Sequence, residues 1–270
     1  MEYLDIFSQI CKYLNTKDRI HLTAASTVTN QFKHKLIFIE RVLLKQIENL
    51  PFFDNFKNVV ARCTDRKFPK NSKRLVMICC RDCTHCDLIM LSPDLQNINH
   101  LTLRQCAGYP EHRFFCEQLM STECYVFSRI KIPNSVTCVN FDGVYNQSVP
   151  KIPNSVTHLT FGYFFDKPIK GTIPNSVTHL VFGDKFNKPT KDYIPYSVTH
   201  LKLGESFDHF AEDFIPDSVT HLSTGRQFYE FQKIPTSVIY IKIKGWEQYY
   251  PTKKVILNTL YGSNVVRPKK

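Results

Sequence analysis

The sequence predicts an α+β chain, a small N-terminal helical bundle followed by a solenoid with a parallel β-sheet. Three observations carry this expectation. A unit of about twenty residues recurs six times in the second half of the chain. Each unit holds a single short β-branched and aromatic stretch. Residues 2–48 instead carry apolar residues at helical spacing.

The six copies read KIPNSVTCVNF, KIPNSVTHLTF, TIPNSVTHLVF, YIPYSVTHLKL, FIPDSVTHLST and KIPTSVIYIKI. Their prolines, Pro133, Pro153, Pro174, Pro195, Pro216 and Pro235, are spaced by 20, 21, 21, 21 and 19 residues. Ile-Pro-x-Ser is a turn, because proline fixes φ and serine bonds nearby backbone. The strand that follows has the spacing Val156-x-x-Leu159-x-Phe161, repeated as Val177-x-x-Leu180-x-Phe182. That is the L-x-x-L-x-L pattern of a leucine-rich-repeat strand. A second aromatic stands six residues after the Leu position, at Tyr145, Phe165, Phe186, Phe207 and Phe228, and is expected to return the chain into the core.

One strand per unit cannot form a hairpin with itself. It must pair in parallel with the next unit, so the strands stack into a curved sheet. Period-two alternation then aims two columns outward on the concave face. One column is Cys138, His158, His179, His200, His221 and Tyr240; the other is Asn140, Thr160, Val181, Lys202, Ser223 and Lys242. His158, His179, His200, His221, Lys202 and Tyr240 are the candidate partner-binding residues. The histidines read either as a neutral stabilising stack or as a recognition surface that changes near pH 6. A straight column lacks the convergent geometry of a metal site, and no metal or other cofactor is expected. A polar ladder, Asn146, Asp166, Asn187 and Asp208, reads as turn chemistry capping backbone groups. Two upstream segments, FPKNSKRLVM (68–77) and SPDLQNINHLTL (92–103), keep parts of the pattern, which places the start of the solenoid near residue 65.

The units FFDKPIKGTIPNSVTHLVFG and KFNKPTKDYIPYSVTHLKLG resemble FNIP repeats, named for a Phe-Asn-x-Pro core that stands here as Phe165 to Pro168 and Phe186 to Pro189. The core loses its proline at 207–210 and 228–231. The resemblance implies a non-enzymatic interaction scaffold of the kind multiplied in social amoebae and in giant viruses that infect them.

In residues 2–48, Ile6, Phe7, Ile10 and Leu14 form one helical face, and Asn15 or Thr16 caps a second helix with Ile20, Leu22 and Ala25. A third helix is expected over 31–47, with Phe32, Leu36, Ile39, Leu43 and Ile47. This segment resembles an F-box. Aligned on Asp18, Asp5 takes the acidic position, Ile6-Phe7 and Ile10-Cys11 the two apolar pairs, and Tyr13-Leu14 follow. The usual opening Leu-Pro is Glu2-Tyr3 here, and Arg19 stands where a Leu follows the Asp. The resemblance implies docking on a Skp-type adaptor, and through it on a cullin ubiquitin ligase, by Ile6, Phe7, Ile10, Leu14 and Asp18. The alternative is a helical cap on the solenoid's open end.

Ten cysteines all lie before residue 139. No secretory leader opens the chain, so they are expected to be reduced thiols in the cytoplasm, the host cytoplasm if the source is viral. Cys79, Cys80, Cys83 and Cys86 beside His85, with Cys106, Cys116 and Cys124 beyond, have spacing that could supply zinc thiolates. Buried core thiols are the simpler reading. No P-loop, G-x-G-x-x-G, H-E-x-x-H or G-x-S-x-G occurs, and no enzyme is expected. Thirty-five Lys and Arg against 24 Asp and Glu give +11 and favour acidic partners. The basic residues are scattered, which argues against nucleic acid, and no apolar run is long enough to cross a membrane.

The expected organisation is a helical F-box-like domain over 1–48, a linker helix and diverged cysteine-rich repeats over 49–129, FNIP repeats over 130–248, and a C-terminal cap over 249–270. The expected function is a monomeric substrate-recognition adaptor of a cullin ubiquitin ligase. Its alternatives are a scaffold without ubiquitin machinery and a basic nucleic-acid-binding solenoid.

Overall fold

The structure, a computed structural model, describes residues 2–62, 65, 67–79, 93–105, 130–209, 214–225 and 234–243. Its centre is one parallel sheet of ten strands in strict chain order. The strands are β1 (Phe38–Leu43), β2 (Phe56–Arg62), β3 (Arg74–Cys79), β4 (His100–Gln105), β5 (Cys138–Phe141), β6 (His158–Phe161), β7 (His179–Val181), β8 (His200–Lys202), β9 (His221–Thr224) and β10 (Tyr240–Ile243). Such order arises when each unit has one strand and can satisfy its edge only on its neighbours. The two diverged segments upstream of residue 104 form β3 and β4, as their residual pattern predicts.

One ladder closes each unit's turn, and two more bond each unit to the one before it. The proline turn closes with Val156 N–H donating to the Pro153 carbonyl at 3.1 Å, and its equivalents recur at Val136, Val177, Val198, Val219 and Val238. The turn serine then reaches out of its own unit. Ser155, Ser176, Ser197, Ser218 and Ser237 donate to the carbonyls of Val136, Val156, Val177, Val198 and Val219 at 2.7–2.8 Å. In the same way, Asn146 accepts from Asp166 N–H, Asp166 from Asn187 N–H, and Asn187 from Asp208 N–H. The expected capping role holds, but the capped groups belong to the following unit.

The core follows from the two apolar columns. Phe141, Phe161 and Phe182 stack at 5.4 Å with planes 7° apart. Tyr145, Phe165, Phe186 and Phe207 form a second stack at 6.0–6.3 Å. All seven are buried, as the sequence spacing predicts for the described members. Phe228 lies outside the described residues. Glycines follow the strands where one unit presses on the next. An added Cβ at Gly183 or Gly204 would lie 2.0 Å from the carbonyl oxygen of the preceding unit's glycine.

The N-terminal segment departs from expectation. Helices α1 (Glu2–Cys11), α2 (Thr16–Ala24) and the single turn α3 (Thr27–Asn30) form, and Asn15 caps α2 by accepting from Asp18 N–H at 2.9 Å. The third helix expected over 31–47 does not form. That stretch is a 3-10 turn (Lys33–Lys35), strand β1 and the short α4 (Leu44–Ile47). Leu36 and Phe38 point inward while Ile39 and Leu43 are exposed, so the helical period was a coincidence and pairing with β2 decides the conformation. The sheet therefore begins at Phe38, not near residue 65. Phe7 and Cys11 belong to the same core as the sheet, with Phe7 packed on Phe32 at 5.3 Å. Thr16 N–H donates to Glu40 of β1 at 2.8 Å, which ties α2 to the first strand.

Candidate interaction surface

Strand register places the outward residues in continuous columns. The first reads Arg41, Asn58, Arg74, His100, Cys138, His158, His179, His200, His221 and Tyr240 across all ten strands. The second reads Leu43, Val60, Val76, Thr102, Asn140, Thr160, Val181, Lys202, Ser223 and Lys242. The sequence expectation covers β5 to β10 of each column. It misses Arg41, because β1 carries a helical period, Asn58, because β2 carries no repeat signature, and Arg74 and His100, because the columns are not extended into the two upstream segments. The run FKNVVAR (56–62) is the signal that could have found Asn58, and the residues before Leu75 and Leu101 in those segments are the signal for Arg74 and His100.

The four imidazoles stack face to face, with ring centroids 4.1–4.2 Å apart and planes within 10–14°. Tyr240 continues the column at 5.5 Å. Each ring is oriented by the threonine before it. Thr157, Thr178, Thr199 and Thr220 bond Nδ1 of His158, His179, His200 and His221 at 2.9–3.0 Å. Each threonine hydroxyl also lies 3.2–3.3 Å from the carbonyl of the equivalent residue one unit earlier. A hydroxyl so placed serves both states of the ring. It donates to a neutral Nδ1, or accepts from a protonated one while donating to the carbonyl. In either case Nε2 is the nitrogen left for a partner.

Burial, followed by the neighbouring imidazoles, holds His179 and His200 below the ordinary histidine range. Burial and Arg74 do the same for His100. Burial pushes the Cys138 thiol up, against the opposing pull of Arg74. At neutral pH, His179 and His200 are therefore uncharged. In the unfolded chain they take protons near the ordinary value of about 6.5. As pH falls through that value the unfolded state holds more protons than the folded one, so stability falls; above it the stack contributes in full. Thermal melts between pH 7.5 and 5.5 are expected to drop on acidification, and the drop to shrink in His179→Gln plus His200→Gln. A wild-type melt that is flat or rises across that window would refute this.

The candidate docking residues of α1 do not share one environment. Phe7 is in the core, whereas Ile6 is 60% and Ile10 46% exposed. Leu14 is half-buried, and the Asp18 carboxylate accepts from the Asn15 amide at 2.7 Å. Tyr3 on α1 and Tyr13 in the turn after it, 74% and 89% exposed, extend the outward stripe of Ile6 and Ile10 and are not among the docking residues expected from the sequence. Beyond the backbone of Cys79, the cysteine cluster with His85 lies outside the described residues. Among the described residues, no group of three or more His, Cys, Asp or Glu is placed to hold a metal ion. No described helix is long and apolar enough to cross a membrane.

The model of the FNIP Repeat matches residues 145–185, 165–206 and 186–227. These are FNIP repeats. Each match opens on a member of the second aromatic stack, Tyr145, Phe165 or Phe186, so the FNIP signature is written by the packing that joins successive units. A crystal structure described as CroV588, a novel circular LRR protein, is similar in fold. The likeness covers 78% of this chain and 30% of that chain, with a TM-score of 0.54 and 24% sequence identity. The chain thus matches less than a third of that protein's length. Comparison with curated protein sequences gives no match.

Proposed function

We propose that the chain is a recruiting scaffold, in which α1 docks on a Skp-type adaptor of a cullin ubiquitin ligase and the open sheet face holds a target protein. The observation that carries the docking half is the stripe Tyr3, Ile6, Ile10 and Tyr13. Three large apolar or aromatic side chains on one face of α1, and Tyr13 in the turn after it, stand in solvent while Phe7 and Cys11 anchor the other face in the core. An exposed stripe of this kind marks an interaction site. The resemblance of residues 2–18 to an F-box names the adaptor. The half that holds the target rests on the repeat architecture, which offers one outward side chain per strand in each column.

Capture of purified Skp-type adaptor by the full chain tests the docking half. Ile6→Glu plus Ile10→Glu should reduce capture at least about a hundredfold, since both charges would be buried unpaired at the contact. The melting temperature should stay unchanged, because neither side chain is in the core. If the wild type captures no adaptor, the α1 stripe serves another contact and the chain acts without ubiquitin machinery.

A further inference from the structure

We propose that the β1–β5 end of the open sheet face is an oxyanion site that takes an acidic or phosphorylated side chain of a partner protein between Arg41 and Arg74. Register sets these two arginines on the same column, two strands apart with Asn58 between them, so their backbones stand about 10 Å apart. Both are exposed, and neither has a carboxylate partner among the described residues. The two outward columns hold no Asp or Glu on any of the ten strands. Of the carboxylates near this region, Glu40 beside Arg41 is bonded by Thr16 N–H, and Asp142, just after β5, is engaged by Arg104. The face therefore binds a carboxylate of its own at the edge of this region and leaves two further guanidiniums unsatisfied. Guanidinium pairs carboxylate and phosphate with two parallel hydrogen bonds, which makes it the side chain for such recognition.

The shape of the region limits the ligand. Arg41, Arg74, His100, Thr102, Asn140 and Thr160 line a cavity of about 280 Å³. That is at the lower limit of the ~300–1,000 Å³ of small-molecule sites. It suits a single side chain offered by a strand or loop lying along the face. Single-stranded nucleic acid needs aromatic platforms on which to stack bases. Beside His100 and the four imidazoles whose faces are covered by their mutual stacking at 4.1–4.2 Å, the two columns contain one further aromatic residue, Tyr240, at the opposite end of the sheet. An anionic protein segment is the occupant that fits both the charge and the cavity.

This deepens the recruiting reading, on which it rests for the partner being a protein. The two tests use separate residues, so either can fail alone. Fluorescence anisotropy of the full chain would compare labelled peptides of one backbone carrying central glutamates, a phosphoserine or glutamines, together with a short oligothymidine. The glutamate or the phosphoserine peptide should bind at least about tenfold tighter than the glutamine peptide, and the tighter of the two identifies the source of the anion. Arg41→Gln plus Arg74→Gln should weaken that peptide at least about tenfold, and Lys191→Gln, which removes an exposed charge that lies on neither outward column, by less than about twofold. Thr102→Glu, which places a competing carboxylate in the cavity, should also abolish binding. The proposal is overturned if neither anionic peptide outbinds the glutamine peptide. Retained affinity in the arginine variant, or tighter binding of the oligothymidine than of both anionic peptides, overturns it equally.

Discussion

Gly183→Ala is expected to destabilise the solenoid by about 3 kcal/mol, at the upper end of the usual cost of overpacking. The new Cβ would lie 2.0 Å from the Gly162 carbonyl oxygen and 2.8 Å from the Tyr163 Cα. Both obstacles are backbone, so no rotamer change relieves them. Gly162 cannot retreat freely either, because its own position is pressed to 2.6 Å of the Asp142 backbone by the same measure. The strain must spread along the glycine column or separate two units. Gly143→Ala is the internal control, since its added Cβ meets nothing within 4 Å. A chain of this size loses about 2–4 °C per kcal/mol. Gly183→Ala should therefore melt about 6–12 °C lower than the wild type while Gly143→Ala stays close to it. Equal melting temperatures for the two variants would mean that the close approach of the units has no energetic weight.

The second large effect is expected at Phe182→Ala. Phe182 is fully buried, stacked 5.4 Å from Phe161 and 4.1 Å from Phe186, and so belongs to both aromatic columns. Removing such a ring costs about 3–5 kcal/mol in transfer and cavity terms. Its neighbours are fixed on adjacent strands by parallel pairing, so they cannot close the gap. Phe164 offers the comparison. It is the same residue type, two residues beyond the strand-end glycine of the preceding unit, but half of it stands in solvent. Phe164→Ala should cost less than about 1 kcal/mol. If denaturant melts place the two variants together, the stacked columns are not what holds the units in register.

How far the fold is legible in the sequence depends on how faithfully a unit repeats. Between residues 130 and 243 the prolines, valines and aromatics recur so regularly that strands, register and both outward columns follow from spacing alone. The partners of the serine and Asn/Asp ladders did not follow. A side chain that can cap its own turn can also cap the next unit's, and only the stacking distance decides between them. Upstream, the reading failed at residues 31–47. Phe32, Leu36, Ile39, Leu43 and Ile47 match a helical period, but β-branched and aromatic residues with a free sheet edge beside them pair instead. That error hides Arg41; Asn58 stands on a strand with no repeat signature, and Arg74 on β3, whose signature is faint. On α1 the helical period was right, yet it could not tell the buried Phe7 from the exposed Ile6. That distinction depends on which side the core lies, a tertiary fact.

The strictly sequential strand order also has a mechanical meaning. No strand is clamped between two others distant in sequence, so no single contact locks the whole array. Tension applied at the chain ends meets one unit's bonds at a time: one short parallel ladder, one serine–carbonyl bond and one or two stacked rings. Each unit of about 21 residues that peels away releases roughly 70 Å of extended chain. An array built this way yields in steps, lengthening at a terminus while the units nearer its middle stay folded.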